Sequence, residues 1–142
     1  MSIYLDQLQM MVNEVAKVWP TDTDLVGIGE TPEQAFQTGR PHGVLDYVLN
    51  TDEETTIGGT LVEVEMELQV QIWYPLGGEE HDRGLELASE VKQHFDKVRL
   101  QWRDSDRDTW IVDPRIEKLP DTTNRWQRFD VVIPFNFSYD SG

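Results

Sequence analysis

Residues 61–72 read LVEVEMELQVQI, and apolar and polar residues alternate through the whole stretch. Successive side chains of a β-strand point to opposite faces, so this pattern predicts a strand with one buried face and one wet face. At about 3.4 Å per residue the strand would span roughly 40 Å, about twice the usual length. Its wet face carries Glu63, Glu65 and Glu67, hereafter the Glu row. Because neighbouring carboxylates repel one another, the Glu row favours a large solvated surface or the lining of a channel.

The composition of the chain indicates one domain spanning residues 1–142. Of its 142 residues 38% are hydrophobic and five are Trp, which suffices for one core. The absence of Cys excludes disulfides, thiolate nucleophiles and thiolate metal sites. No basic leader precedes an apolar stretch, and no segment reaches the length of a membrane span. We therefore expect a protein that is soluble, not exported and not bound to a membrane.

The charge of the chain is concentrated in its first part. The net charge is -15, and residues 1–82 hold 16 of the 27 acidic residues but only two of the 12 basic ones. High-affinity binding to nucleic acid is disfavoured, since it requires clustered Lys and Arg to neutralise phosphates. Surfaces of different electrostatic character are expected, although solubility alone, or adaptation to a salty medium, explains the acidity equally well.

Two stretches of the chain have the periodicity of amphipathic helices. Apolar residues at steps of three and four predict a helix over residues 3–19, which Pro20 ends. A second helix is predicted to begin near Asp82, a suitable N-cap, and to continue to Val98. Between them, residues 20–42 are rich in Gly and Pro and predict a long loop with a short helical turn at 31–36.

Further strands are predicted on both sides of the second helix. Residues 44–49 form a short strand, and residues 50–59 a polar hairpin tip or loop. Alternation at 99–103 and again at 109–113 predicts a hairpin, and alternation at 129–139 predicts a final strand whose Pro134 requires an edge or a bulge. The fold class is therefore α+β, with a mixed, largely antiparallel sheet, one long strand and two helices packed on one face.

Motifs for enzyme chemistry are weak throughout. Residues 104–108 begin like a calcium loop, but Arg115 stands where a bidentate Glu is needed. Residues 27–29 lack the third Gly of a dinucleotide loop. Glu90 and His94 share one helical step and could offer two zinc ligands, yet a solvated pair is the better interpretation. We predict no catalytic, cofactor or metal site, and expect that the protein is not an enzyme.

Five arginines in the second half of the chain are candidates for a subunit or tube interface. On neighbouring strands they could meet an acidic surface of another copy, including the Glu row, or pair with acids of their own chain. Aromatic residues near them could suggest a stacking platform for single-stranded nucleic acid, but their surroundings are not consistently basic, so a core or an interface is favoured. The candidate arginines are Arg99, Arg103, Arg107, Arg125 and Arg128.

Four segments together resemble the tail terminator, or tail completion, proteins of long-tailed bacteriophages. They are the helix at 5–19 and the stretches QVQIWYPLGG at 69–78, GLELASEVKQHF at 84–95 and RWQRFDVVIPFNF at 125–137. The resemblance implies a structural virion protein, a homo-hexameric ring that caps the tail tube, stops its growth and joins the tail to the head connector. It implies as partners the tube protein, a connector or stopper protein and passing genomic DNA, and as location the neck of the virion, after assembly in the host cytoplasm.

In such a ring the Glu row would face the channel, where negative charge repels DNA phosphates and lets the DNA slide. Ring closure would be heterologous, with Arg99 and Arg103 against the acidic strand or loop of the next copy. Two alternatives stay open. One is another neck or head-completion connector protein. The other is a small-ligand-binding α+β domain with His42 and Asp46 as acid–base groups.

Overall fold

The computed structural model describes residues 2–54, 59–76, 82–120 and 126–140. Three helices and six strands lie in these ranges. Their bounds are α1 Ile3–Val18, β1 Asp24–Val26, α2 Glu33–Gln37, β2 His42–Glu54, β3 Leu61–Pro75, α3 Arg83–Arg103, β4 Thr109–Ile111, β5 Arg115–Leu119 and β6 Trp126–Asp140.

The strands form a single mixed sheet in the order β1, β2, β3, β6, β4, and β5 also pairs with β6. β1 runs parallel to β2, and every other pair is antiparallel, which confirms the predicted α+β class and the largely antiparallel sheet. The predicted long strand is confirmed as β3, and two further long strands lie beside it. β2 has 13 residues and β3 and β6 have 15 each, so three long strands lie side by side.

The core lies on one side of the sheet, under α1 and α3. Even-numbered residues of β3 from Val62 to Tyr74 and odd-numbered residues of β6 from Phe129 to Phe137 are buried there. Against them pack apolar residues of both helices, including Met11 of α1 and Phe95 of α3. The opposite side, which carries the odd-numbered residues of β3 and the even-numbered residues of β6, is called here the open face. Two helices on one face were predicted, and the structure confirms them.

The segment at residues 20–42, which was predicted to be a long loop, contains two short elements. The helical turn expected near 31–36 is α2, directly after Pro32. β1 was missed, because three residues are too few to show a period. Gly43 of β2 lies directly against the end of α1, because a Cβ at this glycine would stand 2.4 Å from the ring of Trp19. This close contact holds the end of α1 against β2.

The predicted hairpin after α3 was wrong, since residues 99–103 are the last helical turns of α3. Trp102 lies four residues after Val98 and seven after Phe95, and all three are buried on one side of the helix. Leu100 points elsewhere and is exposed. The alternation of residues 99–103 was therefore a short coincidence within a helical period.

Pro134 was expected to place the last strand at an edge or a bulge, but β6 is an interior strand. On one side it pairs with β3 along its whole length, and on the other side with β5 up to Val132 and with β4 from Phe135. The Pro134 carbonyl accepts a hydrogen bond from Val112 N–H at 2.8 Å. Pro134 thus lies in the gap between β5 and β4. No hydrogen bond of the sheet is lost there through its lack of an N–H.

Paired alanine substitutions test the extension of α3. Trp102 is 8% exposed and Leu100 is 55% exposed. We expect Trp102→Ala to lower the free energy of unfolding by about 3 to 5 kcal/mol, and Leu100→Ala by less than about 0.5 kcal/mol. Urea denaturation of both variants measures this. Equal losses would contradict a helix here, because only in a strand would the two side chains share one face.

Candidate functional site on the open face of the sheet

The Glu row lies on the open face, as the alternation of β3 predicts. Glu63 and Glu65 are exposed, and the Glu67 side chain retains 20% of its accessibility. The neighbours of Glu63 and Glu65 across the sheet on β6 are the uncharged Ser138 and Asn136. The centre of the open face is therefore a polar, negatively charged surface without a helix over it.

One end of the Glu row meets a basic residue that was not among the five candidate arginines. Arg115 Nη2 lies 3.9 Å from Glu67 Oε1, and Arg115 Nε donates a hydrogen bond to Glu117 at 2.9 Å. The register of β5 on β6 sets Arg115 opposite Val132, one strand away from β3. Since β5 was not predicted, this neighbour could not be found from local patterns.

The end of the open face that lies beyond Glu67, at Trp73, is covered by α2. Phe36 of α2 contacts His42 at 4.6 Å, Trp73 at 4.8 Å and Trp126 at 5.4 Å between ring centroids, each edge to face. His42 is only 1% exposed. Together these four residues, the aromatic cluster, form a second and smaller apolar centre on the side of the sheet away from the main core.

Burial in the aromatic cluster lowers the pKa of His42, while the Arg40 carbonyl and the charge of Asp24 act in the opposite direction. Nδ1 donates to the Arg40 carbonyl oxygen at 2.9 Å, which leaves Nε2 as the unprotonated nitrogen. Within the described chain, Nε2 is buried without a hydrogen-bond partner. His42 is thus held in its neutral form.

His42 and Asp46 do not form an acid–base pair. They lie four residues apart on one strand, which is about 13 Å at strand spacing. Asp46 is exposed, and its Oδ1 accepts a hydrogen bond from Tyr47 N–H at 2.8 Å. Proton exchange between the two side chains would need contact within hydrogen-bond reach, so the structure does not bring these two candidates together.

Two candidate arginines pair within their own chain. Arg128 donates two hydrogen bonds to Asp130, at 2.8 and 2.9 Å, and its guanidinium lies 5.1 Å from the centre of the Trp73 ring. Arg99 Nη1 donates to Asp113 at 2.5 Å. The alternative of intrachain pairing therefore applies to Arg128 and Arg99, although neither pair joins two strands face to face as expected.

The other candidate arginines lie in different surroundings. Arg107 stacks over the Trp102 ring at 4.6 Å and reaches the sulfur of Met10 at 3.7 Å. Arg103 is exposed and makes no ion pair with any residue in the described ranges. Arg125 lies outside the described residues. The candidates are thus dispersed over the α3 end, the following turn and β6.

A cleft of about 520 Å³ lies between the end of α3 and β4, hereafter the β4 cleft. It brings two of the candidate arginines beside an indole that is 59% exposed. A smaller cleft of about 150 Å³ connects the same indole to Glu63 and Glu65. The lining residues of the β4 cleft are Arg99, Arg103, Trp110, Ile111, Val112, Asp113 and Asn136.

A third cleft, of about 430 Å³, lies between the segment after α1 and the first half of α3. Acidic and basic side chains face each other in it, including Asp22, Asp24, Arg40 and Glu90. His94, which was considered with Glu90 as a zinc pair, instead contacts Glu14 of α1 at 3.2 Å. Across the described ranges no group of three His, Asp or Glu is placed to hold a metal ion.

Neither a family model nor a curated protein matches this chain. None of the helices within the described ranges combines the length with the apolar character that a membrane span requires. The function is therefore inferred from the surfaces of the molecule: the Glu row, the aromatic cluster and the β4 cleft.

The lowered pKa of His42 makes a prediction about acid stability. As the pH falls below the ordinary value near 6.5, the unfolded chain takes up a proton at this residue before the folded chain does. Stability is therefore lost as the pH falls from about 6.5 through the folded pKa, by at most about 1.4 kcal/mol per pH unit. In His42→Phe this contribution is absent.

Denaturation curves of both proteins between pH 7.5 and 5 measure the difference. We expect the free energy of unfolding of His42→Phe to fall less steeply with acidification than that of the original protein. Parallel curves would mean that His42 does not titrate differently in the two states, and would contradict its assignment as a neutral buried group.

Proposed function

We propose that this protein is a structural virion protein, the subunit of a homo-hexameric ring that caps the tail tube of a long-tailed bacteriophage. The ring ends tail growth and joins the tail to the head connector. The observation that carries the proposal is the Glu row on the open face of a sheet whose other face is covered by α1 and α3. It is supported further by the resemblance of four segments of the chain to tail terminator proteins.

The two unlike faces of the sheet suit a subunit of a ring around a channel. With the open face toward the axis, six copies of the Glu row would line the channel, and α1 and α3 would form the outer layer. Carboxylates repel the phosphates of DNA, so the DNA could pass without being held. The remaining neighbours of the row on β6, such as Ser138 and Asn136, are uncharged and add no basic site.

The positions of the polar groups favour assembly over chemistry on a small ligand. His42 is enclosed by the rings of Phe36 and Trp126 and separated from Asp46 along β2. The most exposed indole, that of Trp110, lies beside arginines in the β4 cleft. Trp and Arg are among the residues that most often anchor protein interfaces. We infer that the protein acts by binding other proteins and is not an enzyme.

Another neck or head-completion connector protein would share these surfaces, and its binding target separates the two. Purified protein should be added to tail tubes assembled from the tube protein of the same phage genome, and separately to DNA-filled heads. We expect electron microscopy to show a sixfold density at one end of the tubes. Bare tubes together with decorated heads would instead identify a connector protein, and binding to neither would contradict both.

Charge reversal of the Glu row tests its place in the channel. In the variant with Glu63→Lys, Glu65→Lys and Glu67→Lys we expect capped tubes but infectivity lower roughly tenfold or more, because lysines in a channel would hold the phosphates of passing DNA. The measurements are plaque titre and electron microscopy of the tails.

The matched control changes three exposed acids in and just after α3 by the same charge. Its substitutions are Glu86→Lys, Glu90→Lys and Asp106→Lys. We expect this control to keep infectivity near that of the original protein. Equal titres for the two triple variants would place the Glu row away from the DNA.

A further inference from the structure

An exposed apolar patch lies at the β2 edge of the sheet. β1 covers the outer side of β2 only as far as Val44, so within the described residues the rest of that edge has no neighbouring strand. Tyr47, Val48 and Leu49 are all exposed there, directly after the exposed Asp46. These four residues are called here the β2 patch. Because side chains alternate along a strand, Tyr47 and Leu49 lie on the side of α1 and α3, whereas Asp46 and Val48 lie on the open face. The β2 patch therefore carries exposed apolar side chains on both sides of an edge strand, where other chains can bind.

The β2 patch favours binding through its side chains over pairing with the backbone of an added strand. The Tyr47 N–H already donates to the Asp46 carboxylate, and the strand has an irregularity in register between Leu49 and Thr51. Side-chain hydrogen bonds and bulges of this kind interrupt the ladder that an added strand would need. A partner would therefore have to accept the apolar side chains in a cleft.

Such a cleft lies at the opposite edge of the same sheet. The β4 cleft contains the exposed side chains of Trp110 and Val112 and the end of α3 with Arg99 and Arg103. Arg103 makes no ion pair with any residue that the structure describes, and Arg99 keeps its Nε buried without a hydrogen-bond partner. Arg99 is paired with Asp113, which also lines the cleft, so within the described residues the positive charge left without an ion pair there is that of Arg103, beside the apolar Trp110 and Val112.

We propose that the β2 patch of one copy docks into the β4 cleft of the next copy, with Asp46 beside Arg103. The inference rests on the proposed function, because it names the contact that closes the ring. The partner is a second copy, since one chain carries exposed apolar side chains beside Asp46 at one edge of the sheet and exposed apolar side chains beside Arg103 at the opposite edge. Different patches that meet in this way form a heterologous interface, which generates a ring when the rotation between successive copies closes.

This docking also orients the Glu row. Val48 pairs with Glu67 and Trp110 pairs with Asn136, so both lie on the open face of the sheet. If the two edges meet, the open faces of successive copies lie side by side and form one continuous wall. The Glu rows of all copies then face the same space, as a channel lining requires.

Introduced cysteines can test the contact without background, because the chain has no Cys. In the double variant Val48→Cys/Val112→Cys the two cysteines lie on β2 and just after β4, which are three strand spacings, about 14 Å, apart. A disulfide needs Cα atoms within about 7 Å, so a disulfide within one copy is excluded. Mild oxidation should therefore yield a ladder of linked copies that ends at the closed ring. A mixture of the two single variants should yield dimers and nothing larger.

Charge exchange supplies the second measurement. We expect Arg103→Glu to lower the rate of cross-linking roughly tenfold, since like charges would then face each other, and Asp46→Arg added to it to restore the rate. Lys97→Glu makes the same change of charge at an exposed position of α3 outside the cleft and should leave the rate unchanged.

The cross-linking is performed with protein free in solution and with protein on tail tubes. Absence of linked copies in both conditions, or dimers from Val48→Cys alone at the same rate, would overturn the proposed contact. If the original protein caps tubes but the double variant does not link on them, the contact is rejected and the proposed function stands. Linked rings that cap no tube would support the contact and reject the proposed function.

Discussion

The burial of one side of β3 is the constraint on which the rest of the structure depends. Its even-numbered residues from Val62 to Tyr74 fill the core beneath α1 and α3. Because side chains alternate along a strand, a shift of one residue would bury the Glu row and expose the whole apolar side. Burying carboxylates without partners costs several kcal/mol each, so the register of β3 between β2 and β6 is determined strongly.

That constraint also divides the molecule into surfaces with different roles. The helices α1 and α3 occupy one face, and the open face keeps its charge, with α2 and the aromatic cluster at one end and Arg115 beside Glu67. Apolar side chains that neither face can cover remain at the two edges of the sheet, at Tyr47 to Leu49 and at Trp110. A single subunit with a net charge of -15 repels its copies, so attraction has to be local, where acidic and basic edges meet.

Sequence patterns succeeded where one period continued over many residues and failed where it did not. The period of two in β3 and the helical period of α1 located both elements correctly. At residues 99–103 five alternating residues suggested a strand, but Trp102 continues the buried side of α3. β1 and β5 have three and five residues, too few for a pattern to distinguish them from loops.

The sequence by itself determined the α+β class, the packing of the two long helices on one face and the side of β3 that carries the Glu row, because these follow from spacing within one element. Only the tertiary structure decided which residues from distant parts of the chain meet. It enclosed His42 between Phe36 and Trp126, and it placed Trp110 beside the end of α3. Such contacts depend on the order and register of paired strands, which no local spacing contains.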